Sequence, residues 1–454
     1  MDGHAPRQRR GARRDAAGSR HHDDQGPRVR RRRRRTAPAG PRDREDARGR
    51  APPHRGHGRH DGDELRAAHP RDRGRVGSGD LRSGGPLVTV REERIAPATH
   101  VPAAPAVTSR SRVGRIALLT TGLVVALVVA TLVSASVGQL GISPAEVLRT
   151  VGRSLGLPVH GPADDLVTQA LWTIRFPRVV MALLIGAALA AAGVLMQAVF
   201  ANPLADPGVV GVSGGAAFGA CASIVFGLQF AGYWTTPLMA FAAGLVATLL
   251  VYGLSRAGGR TEVVTLLLTG IAVNAFTGAG LAFLTFLGDQ QAREQIVFWQ
   301  LGSLNGSMWD QAAAIAPVIG AGLVGAVVLT RSLDLLALGD RAARHIGVRV
   351  EAVRVVAIVV VALLVGAAVA FAGIIAFVGL VVPHLMRMVI GPAHGPLLLV
   401  STLGGALLLT IADLLARTLV PYADLPIGML TSLVGGPFFF WLLRRARRRS
   451  GGWA

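Results

Sequence analysis

From Arg115 onward, apolar runs alternate with short polar breaks, and most of the runs are about the 20 residues a helix needs to cross a hydrocarbon core. The runs at 115–137, 178–200, 208–227, 235–255, 263–287, 309–330, 353–373, 375–391, 396–416 and 426–443 predict ten membrane-spanning helices, with 375–391 the shortest. Residues 1–110 have neither a helical nor a strand period. Rich in Arg, Gly, Pro, Asp and His, with an unbroken run Arg30 to Arg35, they cannot bury enough apolar surface to offset their ordering entropy. The pattern therefore predicts an all-α chain: a disordered tail over 1–110, a polytopic transmembrane helical bundle over 111–449, and a short tail over 450–454.

Within the apolar runs, glycine and alanine crowd together, as in "LLIGAALAAAG" (183–193) and "STLGGALLLT" (401–410). Small residues let helices approach closely in lipid, where packing replaces the missing hydrophobic drive, so the bundle is expected to be compact. The break "ANPLADPGVVGVSGG" (201–215) has the glycines of a phosphate-binding loop but no preceding strand and no βαβ unit. It reads instead as the start of a helix at Pro207, with Gly208, Gly211, Gly214 and Gly215 allowing tight backbone contact.

Charge adds an orientation. An even number of spans starting inside puts Arg256, Arg260, Arg331, Arg341, Arg344, Arg349, Arg354 and the run Arg444 to Arg449 on one side, which the positive-inside rule makes cytoplasmic. Both termini are then expected in the cytoplasm of a multi-pass protein of the cell membrane. The net charge of +21 is concentrated largely in the first hundred residues and in these clusters. An arginine-rich tail can bind RNA, DNA or anionic lipid, or be simply unstructured, and membrane lipid rather than nucleic acid is the partner expected of the chain. No secretory signal pattern opens it.

The chain of 454 residues contains no lysine and one cysteine, Cys221. A phosphate-binding loop of an ATPase requires a lysine, so the chain is not expected to hydrolyse ATP. An intrachain disulfide is impossible and a cysteine-rich zinc or iron–sulfur site is excluded. No directly bound metal or cofactor is expected of the chain.

The chain carries the long blocks "RFPRVVMALLIGAALAAAGVLMQAVFANPLADPGVVGVSGGAAFGA" (175–220), "FWQLGSLNGSMW" (298–309), "LDLLALGDRAARHIGV" (333–348), "GIIAFVGLVVPHLMRMVIGPAHGPLLLVSTLGGALLLTIADLLAR" (373–417) and "LPIGMLTSLVGGPFFFWLL" (425–443). Together they resemble the FecCD permeases, the membrane subunits of ATP-binding-cassette importers for ferric siderophores, haem and cobalamin. The resemblance runs over roughly 115–445 in the family's order; the tail has no counterpart. It implies an importer permease fold of about ten helices and a second permease subunit, the same or homologous. It also implies two cassette ATPases that consume the ATP and an extracytoplasmic solute-binding protein.

The resemblance also assigns residues. Leu338, Gly339, Arg341, Ala342, Ala343 and Gly347 would contact the ATPase, the alternative being an ordinary solvated loop. Arg175, Arg178 and Arg417 would hold acidic residues of the binding protein, since arginine offers a planar fork to carboxylates; the alternative is snorkelling to headgroups. Thr269, Gly270, Asn274, Thr277, Gly278 and Gly280, in the middle of the fifth span, would line the translocation pathway, or else serve close helix packing. Asp413 and Arg417, four apart, share a helix face and can pair. His384 and Arg387 suggest a metal or proton relay, but with no carboxylate near in sequence an interface or packing role is favoured. A self-sufficient proton-coupled transporter is the rival function; it would use acids inside the spans, and Asp413 is the one clear example. Ser, His and Asp form no evident catalytic constellation.

Deleting residues 1–105 is expected to leave membrane insertion and transport nearly intact, because that tail precedes the first span. Loss of insertion in the truncated chain, followed by membrane fractionation, would overturn the reading.

Overall fold

The computed structural model describes residues 109–138, 140–159, 164–257 and 260–449. The expected disordered tail therefore lies outside the described residues except for its last two positions, and so does the expected tail at 450–454. The helices in chain order are α1 (Ser109–Ser136), α2 (Pro144–Ser154), α3 (Asp165–Ala170), α4 (Phe176–Val199), α5 (Val212–Val225), α6 (Thr235–Leu254) and α7 (Val263–Leu287). They continue as α8 (Gln290–Leu301), α9 (Trp309–Leu336), α10 (Asp340–His345), α11 (Val350–Ala372), α12 (Val378–Ile390), α13 (His394–Ala416) and α14 (Ile427–Arg449). Seven segments are long and apolar enough to cross a membrane, and three shorter apolar helices, α5, α12 and most of α14, fill the remaining expected spans.

Sequence reasoning missed the two helices α2 and α8, which are too short and too polar to span. Each starts from a polar side chain that caps the free N–H groups of its first turn. Ser143 and Glu146 close a capping box on α2 behind Pro144, and Asp289 accepts the Ala292 N–H at 2.7 Å to start α8. The second span also begins earlier than expected. α3 and α4 are joined through a π-helical turn, Leu171–Arg175, that rotates the face and brings Arg175 inward. A small addition to the all-α expectation is a two-residue antiparallel ladder, β1 (Arg256–Ala257) with β2 (Arg260–Thr261), between α6 and α7.

α4 is the axis of the bundle, packed against α9, α11, α12 and α13, while α5, α6 and α7 form a second group joined to it through α11. The reason is in its sequence: a Cβ on Gly186 would run into the Gly405 carbonyl of α13, and one on Gly193 into the Gly379 carbonyl of α12. Backbone therefore meets backbone at both contacts, which is how a chain of small residues gains dispersion energy in lipid. Of the most apolar stretch of the second span 83% is buried against the rest of the chain, whereas for α7 the figure is 22%. α7 thus offers most of its surface outside this chain.

Candidate functional site

Three groups of the singled-out residues fall at different places. At the end of the bundle where α1 and α13 finish and α4 starts, the three arginines Arg175, Arg178 and Arg417 come together. Arg178 donates from Nε to Asp413 Oδ1 at 2.8 Å and from Nη1 to Asp424 Oδ2 at 3.0 Å. Asp413 is fully buried, and its other oxygen faces Arg417 Nε at 3.5 Å. The last carbonyls of a helix have no partners within it, and here two arginines supply them for α1. Arg175 donates to Ala135 O at 2.6 Å, Ser136 O at 2.7 Å and the Leu140 carbonyl. Arg417 donates to Ser134 O at 2.5 Å and Val137 O at 3.0 Å.

All three guanidinium groups thus make hydrogen bonds inside the chain. The predicted pairing of Asp413 with Arg417 is the weaker half of a network centred on Arg178. Beside it opens a cavity of about 530 Å³, lined by the three arginines together with Asn305, Tyr422 and Asp424. Tyr422 is 93% exposed at its mouth and holds φ +63°, a left-handed backbone uncommon for tyrosine. Neither Asp424 nor Tyr422 carried a signal in the sequence, because their neighbours in space lie far away in the chain.

At the opposite, arginine-rich end, Gly339 (φ +98°) and Gly347 (φ +94°) bracket α10. Only glycine tolerates both turns readily, and they turn the chain from α9 into α10 and from α10 toward α11. Leu338 and Arg341 are exposed, Ala342 is half-buried, and Ala343 is buried in the core. Ala343 therefore anchors the segment rather than offering a contact, and the exposed apolar residue that reasoning missed is Ile346. Its signal was available: an isoleucine in a polar loop with no lipid to meet.

Asp206 is half-buried and accepts the Gly208 N–H at 2.7 Å, which starts a 3₁₀ turn at Pro207 as expected, although α5 itself begins five residues later, at Val212. Burial pushes the Asp206 carboxyl above its ordinary pKa, against the pull of that N–H. His384 meets the Pro203 carbonyl at 3.2 Å and Arg387 meets Gln197 at 3.4 Å, which ties α12 to the end of α4. Among the described residues no three His, Cys, Asp or Glu side chains gather where they could hold a metal ion.

The third group, on α7, divides. Asn274 donates to the Gly208 carbonyl at 3.3 Å, and Thr277 is buried and bonded back to Val273. A Cβ on Gly270 would meet the Val209 carbonyl, and one on Gly280 the Phe218 ring. These four make the close contacts of the packing alternative. Thr269 is half-buried, and Gly278 is exposed with open space in front of it.

Comparison with known proteins covers most of the described bundle. The sequence pattern of the FecCD transport family matches residues 126–445. The hemin transport system permease protein of Yersinia pestis is 40% identical over 335 residues, 73% of this chain and 96% of the relative. The cobalamin import system permease protein of Halobacterium salinarum is 39% identical, covering 63% of this chain and 76% of the relative. The Fe(3+)-citrate import system permease protein of Bacillus subtilis is also 39% identical, covering 63% and 84%. A solved metal-chelate type ABC transporter in an inward-facing conformation superposes with a TM-score of 0.62 at 31% identity, covering 72% of this chain and 98% of that one.

Proposed function

The chain belongs to the FecCD transport family, as the membrane-spanning permease subunit of an ATP-binding-cassette importer, and from that premise we propose how it works and what it carries. Its substrate is an iron or cobalt chelate of the haem, cobalamin or ferric-siderophore kind, passed across the cell membrane. The arginine-rich end with α10 faces the cytoplasm together with both termini, in keeping with the positive-inside rule. One of two cassette ATPases docks there on Leu338, Arg341 and Ile346 and consumes the ATP, the other docking on the second permease subunit; the chain itself has no ATPase site and no cofactor of its own. An extracytoplasmic binding protein docks at the other end, over the mouth of the arginine-lined cavity.

A second permease subunit completes the pathway along the open face of α7, with Gly278 toward it. The observation that carries the reading is α10 with its flanks: a short helix with cationic side chains turned to solvent, flanked by the exposed Leu338 and Ile346, anchored by Ala343 and bounded by two glycines. The rival proton-coupled mechanism loses its best residue, since Asp413 is held between two guanidinium groups.

The test is reconstitution in liposomes, with haemin, cobalamin and ferric citrate supplied in turn. Uptake of one of them is expected only when two cassette ATPases, the binding protein and ATP are all present, and purified chain alone is expected to hydrolyse no ATP. Uptake driven by a proton gradient without the ATPases would overturn it.

A further inference from the structure

An ATPase seated on α10 must still move the spanning helices, and the residues behind α10 supply a path. Arg354 lies in the second turn of α11 and is 8% exposed. It donates from Nη2 to Asp340 Oδ1 at 2.9 Å and from Nη1 to the Thr261 carbonyl at 3.2 Å. Asp340 opens α10, and Thr261 closes the ladder that leads into α7. Glu351, three residues earlier on α11, grips the same threonine: its carboxylate accepts the Thr261 N–H at 3.0 Å and the Thr261 hydroxyl at 2.5 Å. Two side chains of α11 thus hold the base of α7, and one of them also holds α10.

The chemistry suits a rigid link. A guanidinium is planar and sends its N–H groups in fixed directions, so its two bonds set the relative position of their acceptors. Because the group is buried, neither bond can be exchanged freely for water, and separating α10 from the hairpin would strand a charge.

We propose that Arg354 is a positioning residue that couples α10 to the α6–α7 hairpin, so that movement imposed on α10 is passed to α7 through one buried cation. The inference rests on α10 being the ATPase contact. It adds that docking and coupling are separable: Leu338 and Arg341 hold the ATPase, and Arg354 converts its movement.

The test uses the complete importer, with its ATPase and binding protein, in lipid vesicles. Haemin, cobalamin or ferric citrate serves as probe, whichever the wild type carries. Two quantities are read: ATPase co-purifying with the permease, and probe delivered per ATP hydrolysed. With Arg354→Gln, co-purification is expected to stay within about twofold of wild type. Probe per ATP should fall by about tenfold or more. Asp340→Ala, which cuts the same link from a partly exposed position, should show the same defect. The double variant should be no worse than Arg354→Gln alone, because both act on one connection.

If Arg354→Gln fails to assemble, Asp340→Ala decides by the same ratio. An unchanged ratio in an assembled variant would overturn the proposal, and so would losses that multiply in the double variant. Failure of the docking premise is visible separately: Arg341→Glu that kept its ATPase would overturn the premise and the inference with it.

Discussion

Arg178→Ala is expected to lower the stability of the folded chain by about 3–5 kcal/mol, because it leaves a buried charge without its partner. Asp413 is fully buried, and Arg178 is its one charged hydrogen-bond partner, Arg417 standing off at 3.5 Å. Asp424 loses its cation at the same time, and with it the tie between the 417–426 segment and α4. The measurement is unfolding in detergent followed by loss of monodisperse protein with temperature. Arg178→Met combined with Asp413→Leu supplies the control: replacing both charges by apolar side chains of similar volume should recover most of the loss. A single variant as stable as wild type would mean that Asp413 is neutralised by other means.

The second large effect is expected at the other end. Leu338→Glu with Arg341→Glu should lower transport by roughly a hundredfold or more, as expected when interface residues worth about 2 kcal/mol or more are lost. Both side chains are exposed, so fold stability should change by no more than about 0.5 kcal/mol per site. Co-purification of the ATPase, measured beside the unfolding temperature, separates the two effects. A variant pair that kept its ATPase would move the docking surface away from α10.

The long helices were legible because length and apolarity alone identify a span; α7, α9, α11 and α13 all lie where their runs predict. α2 and α8 were illegible to that criterion, although Ser143 with Glu146 and Asp289 with Ala292 mark their starts by capping. The helix that contacts solvent at α10 was legible as a motif, but the outward direction of Leu338 against the burial of Ala343 is a property of the fold. No local rule links Arg178 to Asp424, 246 positions away, whereas the pair at Asp413 and Arg417 could be read from helical spacing. On α7, small and mildly polar residues satisfy both close packing and a pathway wall. Only the carbonyl of Val209 in front of Gly270, and the open space in front of Gly278, tell the two uses apart.

Cys221, the chain's one sulfhydryl, is fully buried in α5 between Leu284 and Ile296. The protein is thus a ready background for thiol labelling, since a maleimide added to the folded chain has nothing native to find at the surface. A cysteine placed at Ile346 and another at Tyr422, both exposed, would carry spin labels at the two ends of the bundle without any native thiol being removed. Pulsed distance measurements between them through the ATP cycle would then follow the two ends directly. The absence of lysine extends the same advantage to amine chemistry, which leaves the chain's only primary amine at its N-terminus.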